Sequence, residues 1–382
     1  MRAVVITAPG GLEVLELRDV PTPEPGIGQI RVRVYASGLN RADLLQRRGR
    51  YPAPPGWPED IPGLEYAGIV DAVGPGVRLW KPGDRVMGLV GGGGCAEAVV
   101  VHEREAIAVP AALSLDEAAA VPEAFITAHD ALFTRLGLGP GEAVLVHAVG
   151  SGVGTAALQL AKAAGARVVG TSRRAWKLEK ATALGLDLGV DASREDFAEA
   201  ALAFTGGAGV DAVLDLVGGA YLAGNLRALA SGGRLAFVGT VAGSRAELDL
   251  RVVMTKRLRL VGTTLRARPL EEKIQATRAF AHHALPLFEQ RRILPVVDRV
   301  LPAGEVREAH RLLEEDAVFG KLVLRWAEES RPASGRAGGA TRRAGRARPM
   351  EGVAQTSPFG SSPRSSAHFI TPRTPPLNEY AS

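Results

Sequence analysis

Apolar and polar residues alternate along the first third of the chain. Ile30, Val32 and Val34 alternate with Arg31, Arg33 and Tyr35, the period of a half-buried strand. Leu12, Val14, Leu15 and Leu17 form a short extended run. Further strands are predicted at 66–73, 84–90, 95–101 and 106–109. Asn40–Arg48 reads as one short helix closed by Gly49. Residues 52–62 hold Pro52, Pro54, Pro55, Pro58 and Pro62 and form a loop. Short strands with turn signals between them predict a small β-barrel-like domain.

The period then changes. Ser114-Leu-Asp-Glu117 is a capping box that opens a helix, which Pro122 interrupts. A second helix runs from about Ala124 to Leu136. From Glu142, apolar strands alternate with amphipathic helices. The strands are Ala143–His147, Arg167–Thr171, Leu188–Asp191, Asp211–Leu216, Arg234–Gly239 and Leu258–Thr263. The helices lie at 152–164, 175–184, 194–204 and 221–229. Near-continuous apolar strands in a βα repeat belong to a parallel sheet covered on both faces. Six of them suit a doubly wound dinucleotide-binding fold. After Thr264 come a helix at Leu270–Gln290, a strand at Val296–Leu301, a helix at Ala303–Glu315 and a strand at Lys321–Trp326. These pieces are too few for a domain of their own and return to the first. The boundaries expected are 1–123 and 266–326 for a discontinuous first domain, 124–265 for the nucleotide-binding domain and 327–382 for a tail.

Charge changes the picture only at the tail. The chain of 382 residues carries +5, and residues 327–382, with eight Arg and four Glu, account for +4 of it. This tail, rich in Ala, Ser, Pro and Gly, buries too little apolar surface to offset chain entropy and is expected to be disordered. The nearly neutral body argues against nucleic acid as a partner, which leaves only the Arg331–Arg348 segment as a site for it. A single cysteine, Cys95, excludes a disulfide framework and any Cys-rich metal site within one chain. Its place at the start of a strand suits a buried thiol. No signal peptide or membrane span is read from the pattern, so the expected compartment is the cytoplasm.

Chemistry concentrates after the strand Ala143–His147, which enters Gly150-Ser-Gly-Val-Gly154 and then a helix. Strand, glycine turn and helix set backbone N–H groups and a helix N-terminus against a pyrophosphate. Ser151 stands where the central glycine of G-x-G-x-x-G would be, and its hydroxyl can donate to a phosphate oxygen. Gly150, Ser151, Gly152, Val153 and Gly154 are therefore cofactor candidates. The second strand of such a fold ends near the adenosine ribose, where an acidic residue would hold the 2′-hydroxyl of NAD. Here it ends Ser172-Arg173-Arg174, with Lys177 on the following helix and no acid before Glu179. Two guanidiniums and a hydroxyl suit a 2′-phosphate, which predicts NADPH over NADH.

These residues resemble the quinone oxidoreductase family of zinc-independent medium-chain dehydrogenases/reductases, on the branch of the tumour-suppressor-inducible enzyme and its bacterial relatives. The matching stretches are Ala36-Ser-Gly-Leu-Asn-Arg-Ala-Asp43, Pro62-Gly-Leu-Glu-Tyr-Ala-Gly68, Gly150–Gly154, Gly262-Thr-Thr-Leu-Arg-Ala-Arg268, Ala309-His310 and Gly320-Lys-Leu-Val-Leu324. The resemblance covers residues 1–326. It implies a GroES-like β-barrel domain of two chain pieces around a Rossmann domain, with the cofactor between them. It also implies homodimers or tetramers joined across the edge strand Leu258–Thr263. Where zinc-dependent members place Cys, His and Cys, this chain has Asn40, Leu64 and Glu123, so no metal is expected. The pair His282-His283 reads as surface. Many members carry a Tyr near the 2′-phosphate where this chain has Ala192.

The implied reaction passes a hydride from NADPH to a quinone, which requires the reacting carbons to be held about 3–3.5 Å apart. Asn40 and Asp43 are candidates for the catalytic site, with helix capping as the alternative for both. Tyr51 is the candidate proton donor, or else only packs on the proline-rich loop. Thr127 and the backbone of Val238 and Gly239 are expected near the nicotinamide. Two alternatives stay open: reduction of an activated C=C bond in an enal, enone or enoyl thioester, and a non-catalytic NADPH-binding role.

Overall fold

The computed structural model describes residues 1–327; residues 328–382, on which the expected disordered tail falls, lie outside the described residues. The first third supplies β1 (Arg2–Ile6), β2 (Leu15–Asp19), β3 (Gln29–Leu39), β4 (Glu65–Val73), β5 (Arg85–Leu89), β6 (Ala98–His102) and β7 (Ala106–Ala108). The helix α1 (Arg41–Arg47) follows β3, with Gly49 at φ +68° just past its end. At the start of β3, Ile30, Val32 and Val34 point into a core, as their alternation predicts. From Tyr35 to Leu39 the alternation fails, because both faces of the strand are covered and every residue is buried. Two short helices, α2 (Leu115–Ala118) and α3 (Pro122–His129), lead into the second sheet, and Ser114 caps α2 through a capping box with Glu117.

The second sheet contains β8 (Ala143–Val146), β9 (Arg167–Ser172), β10 (Leu188–Asp191), β11 (Val210–Asp215), β12 (Leu229–Phe237) and β13 (Arg259–Gly262). All pairings are parallel and the order is β10-β9-β8-β11-β12-β13, the doubly wound Rossmann arrangement. Its helices are α4 (Gly152–Ala163), α5 (Ala175–Thr182), α6 (Phe197–Phe204), α7 (Leu222–Ala228) and α8 (Leu250–Lys256). The switch point, where order reverses, falls at β8, directly before the glycine loop.

The last elements are α9 (Leu270–Glu289), β14 (Val297–Pro302), α10 (Val306–Glu314) and β15 (Lys321–Arg325). The strands β14 and β15 continue the first sheet, in the order β14-β15-β3-β4-β5-β7, with β6 also on β3. β15 runs antiparallel to β3, placing Leu322 opposite Leu39. The chain end thus returns to the GroES-like barrel, and this return carries Lys321 into the cleft. One apolar cluster is shared by both sheets; Met87 and Val323 from the first pack with Phe125, Val144, Leu214 and Phe280.

Three local expectations are corrected. The helix expected to reach Leu136 ends at His129 and continues as a π-helical turn over Asp130–Arg135. Asp130 is buried there and bonded to Arg268 and Thr263, which draws the turn out of α-helical register. β12 begins at Leu229, not Arg234, with its pairing to β11 shifted between those two residues. The helix α8 was not predicted, since Val252, Val253 and Met254 interrupt no clear polar face. Among the described residues, no helix is long and apolar enough to cross a membrane.

Candidate active site

The glycine loop lies between β8 and α4. Ala148 turns the chain at φ +49°, a left-handed conformation that a non-glycine residue rarely adopts. Ser151 caps α4 by accepting from the Gly154 N–H at 3.1 Å. Accepting this bond uses a lone pair of the hydroxyl and leaves its O–H as a donor. Gly152 and Val153, in the first turn, have no carbonyl one turn earlier to bond, so their N–H groups are available to an anion. Gly154 has no room for a side chain, because a Cβ there would fall on the Ala148 carbonyl and the Val149 backbone.

Two lysines cover this loop from opposite sides. A Cβ on Gly150 would come within 2.9 Å of the Lys177 side chain, and one on Gly152 would meet the Lys321 side chain. The C-terminal segment is tied to the loop directly: Gly320 N–H donates to the Gly150 carbonyl at 2.9 Å. Backbone donors and a helix N-terminus, walled by the stems of Lys177 and Lys321, make a cradle that fits a dinucleotide pyrophosphate.

Residues Ser172–Lys177 form the adjoining corner. Ser172 Oγ accepts from the Arg174 N–H at 3.1 Å. Arg173 and Arg174 are exposed, whereas Lys177 is buried and bonded to Asp316 at 2.5 Å. Asp316 was not foreseen, because it lies 139 residues along the chain from Lys177. Ala192 offers only backbone here, its N–H donating to the Ser172 carbonyl.

Across the cleft, β3 ends and α1 begins at Asn40. Lys321, at the start of β15, places its ammonium 2.5 Å from Glu65, 2.6 Å from Asn40 Oδ1 and 2.8 Å from the Leu39 carbonyl. Its three N–H donors are thus met by three acceptors. Glu65, fully buried at the start of β4, also accepts from Asn40 Nδ2 at 3.0 Å and from the Glu123 N–H at 2.8 Å. Both ends of the Asn40 amide are thus held, and its backbone N–H is capped by Asp43 at 2.7 Å.

Asp43 makes the helix-capping contact that is its alternative reading. It is fully buried, and its two oxygens accept from the Asn40 and Gly63 N–H groups. Burial lifts its carboxyl to about 6, against the pull of those two bonds.

Glu123 opens α3 and projects toward Tyr51. Its Oε2 is buried without a hydrogen-bond partner. Burial, then the charge of Glu65, lifts its carboxyl to about 8. Tyr51 is held by Arg266, whose guanidinium lies 4.8 Å from the ring centroid and donates to the Tyr51 carbonyl. Burial raises the phenol above its ordinary value, Glu123 adds to this, and Arg266 opposes it. Thr127 lies one turn after Glu123 on the same face of α3 and is buried. Val238 and Gly239 leave the C-terminal end of β12, where both N–H groups donate to the Asp215 carbonyl. The structure thus joins Asn40 with Glu65, Glu123 and Lys321, and joins Ser172–Lys177 with the glycine loop. Among the described residues no hydrogen bond or ring contact links Tyr51 to Thr127 or Val238.

Lys321, Glu65, Glu123, Arg266 and Asp316 are the residues the sequence reading missed as site residues. Lys321, Glu65 and Arg266 did lie in the stretches that carried the resemblance, and Lys321 is a cation inside an apolar run. Cys95 is buried as expected, its thiol pushed well up by burial, with Ser37 Oγ 3.9 Å from Sγ. His283 is exposed as expected, but its Nδ1 is 3.1 Å from His129 Nε2.

Residues 26–111 match the family described as alcohol dehydrogenase GroES-like domain, and residues 152–282 that described as zinc-binding dehydrogenase. The quinone oxidoreductase of Lama guanicoe is 33% identical over 331 residues, covering 85% of this chain and 97% of that one. The chain belongs to the quinone oxidoreductase family of medium-chain dehydrogenases/reductases. As such it is an NAD(P)-dependent oxidoreductase. The synaptic vesicle membrane protein VAT-1 homolog of Rattus norvegicus is 34% identical, covering 85% of this chain and 84% of that one. The Escherichia coli quinone oxidoreductase complexed with NADPH superposes with TM-score 0.78 at 29% identity over 85% of this chain and 100% of that one. An NAD-dependent alcohol dehydrogenase gives 0.77 at 39% over 86% and 100%. The CurK enoyl reductase gives 0.74 at 28% over 85% and 98%.

Zinc does not fit this member of the family. Among the described residues no group of three or more His, Cys, Asp or Glu is placed to hold a metal ion. Leu64 offers no donor, the Asn40 oxygen is taken by Lys321, and the Lys321 ammonium stands where a divalent cation would meet it.

Proposed function

We propose that the chain is a zinc-independent NADPH:quinone oxidoreductase. The observation that carries this reading is the Asn40–Glu65–Lys321 cluster beside the glycine loop. The Asn40 oxygen is taken by a fixed ammonium and Leu64 has no donor, which favours an acceptor that needs no Lewis acid, and a quinone is such an acceptor. When bound, NADPH supplies the hydride. Gly150–Gly154 and the N-terminus of α4 hold its pyrophosphate, and Ser172, Arg173, Arg174 and Lys177 hold the 2′-phosphate. Asn40, kept in one orientation by Lys321 and Glu65, positions the ribose or the acceptor. Thr127, Val238 and Gly239 line the nicotinamide end and exclude water. Tyr51, with the Glu123 carboxyl beside it, delivers the proton to the reduced acceptor's oxygen. The protein works as a homodimer through the outer edge of β13.

The likeness to an enoyl reductase supports a second reading, reduction of an activated C=C bond. Steady-state oxidation of NADPH by the full chain, with an ortho-quinone and with a 2-alkenal, separates the two. The quinone is expected to turn over at least tenfold faster in kcat/KM, about 1.4 kcal/mol in transition-state binding. Turnover of the alkenal alone would replace the first reading with the second. Tight NADPH binding with no turnover of either would leave a non-catalytic binding protein.

A further inference from the structure

Asp316 sits on the loop between α10 and β15, in left-handed backbone at φ +56°. Its carboxylate is the point on which three cations converge. Oδ1 is 2.5 Å from Lys177 Nζ, and Oδ2 is 3.9 Å from Arg173 and 4.0 Å from Arg174. These are the three cations assigned to the 2′-phosphate, and Asp316 is their shared counter-ion. The loop is anchored on both sides of this contact. Phe319 packs on Trp176, with ring centroids 6.5 Å apart, and Gly320 bonds to the glycine loop. Lys180 lies over the Phe319 and Trp176 rings, at 5.6 and 5.1 Å. The carboxylate is therefore held at the corner and does not merely swing past it.

We propose that Asp316 is a specificity-determining residue that weakens discrimination for NADPH over NADH. A 2′-phosphate entering this corner brings a second anion to the same three cations and meets the carboxylate as a like charge. Two unit charges about 4 Å apart near a protein surface repel strongly enough to change affinity tenfold or more. The 2′-hydroxyl of NADH carries no charge, and it can donate to the carboxylate instead. Asp316 thus opposes one cofactor and offers a partner to the other. This inference rests on the reading of Ser172–Lys177 as the 2′-phosphate corner.

The test uses the full chain and measures binding as well as turnover. Asp316→Asn keeps the shape and removes the charge. Asp316→Gly is the second variant, since glycine takes the positive φ without strain. Kd for NADPH, NADH, 2′,5′-ADP and 5′-AMP is measured by calorimetry. In both variants NADPH and 2′,5′-ADP should bind about tenfold tighter, while NADH and 5′-AMP bind equally well or more weakly. Unchanged or weaker NADPH binding would overturn the proposal, because Asp316 would then serve only to hold Lys177 in place. The triple substitution Arg173→Ala, Arg174→Ala, Lys177→Ala tests the corner itself. It should weaken NADPH far more than NADH. Equal weakening would overturn the corner reading, and the proposal with it. A selective loss there, with no gain from the Asp316 variants, would overturn the proposal alone.

Discussion

A residue acquires its role from neighbours that the sequence does not reveal. Glu123 shows this. As a letter beside Pro122 it is only a good first-turn residue, an acid at a helix N-terminus. In the fold it faces Glu65, and its Oε2 is sealed from water without a partner. Burial and the Glu65 charge lift its carboxyl to about 8, although Lys321 and Arg266 pull the other way. The proton therefore stays on at neutral pH and leaves as pH rises through about 8. If this proton passes by way of Tyr51 to the acceptor, kcat should fall on that rise. Glu123→Gln should lower kcat severalfold at pH 7 and erase the fall, with KM for NADPH little changed. The same shift sets a stability trend. The unfolded carboxyl titrates near its ordinary 4.5, so the stabilisation present below that pH declines as pH rises and is gone once the folded group ionises near 8. Melting temperatures of the wild type should drop over that window relative to Glu123→Gln. A pH profile of rate and melting identical in both proteins would remove Glu123 from the proton path. Lys321 and Asp316 were hidden for the same reason: each meets its partner across more than a hundred residues of chain.

At the scale of elements, local patterns were read well where one period governed a whole segment. The glycine loop is the clearest case, since a strand that is apolar throughout must be followed by a turn before an amphipathic helix begins. Two of the three misread segments are places where a tertiary demand overrode the period, and the third, α8, has no clear polar face to read. Asp130 bends α3 into a π turn to reach Arg268, and the extra residues of β12 follow from a shifted register on β11. The loop's glycines differ in what they tolerate. A methyl on Gly154 meets backbone at Ala148 and Val149, and Ala148 is already in left-handed backbone. A methyl on Gly152 meets the stem of Lys321, whose ammonium is pinned by Glu65, Asn40 and the Leu39 carbonyl. Gly154→Ala should therefore cost about 1–3 kcal/mol of stability, as overpacking does, and weaken cofactor binding too. Gly152→Ala should lower the melting temperature too, because its methyl displaces the Lys321 stem and strains three bonds, and it should weaken NADPH and NADH alike. Thermal unfolding and cofactor titration of the two variants check this; an unchanged melting temperature in either variant would contradict it.

At the scale of the whole molecule, the six-stranded sheet has an end that the fold leaves open. β13 pairs with β12 on one side only, and its other edge presents unpaired backbone groups. In the stretch of chain between β12 and β13, Val241, Leu250 and Met254 are 61%, 64% and 70% exposed, and α8, which carries the last two, packs against β12. Large apolar residues grouped at an open strand edge suit a surface that is covered in solution. A second copy is the occupant that pairs the strand without a new sequence, because a twofold axis lays β13 against itself. Charges placed on the apolar border should break that contact without touching the cleft. Leu250→Glu combined with Met254→Glu is expected to turn a dimer into a monomer in sedimentation velocity at micromolar concentration. NADPH binding should stay within twofold of the wild type, since neither residue adjoins the glycine loop or the Asn40–Glu65–Lys321 cluster. A wild type that sediments as a monomer, or a double variant that remains dimeric, would show that the edge of β13 is not the contact.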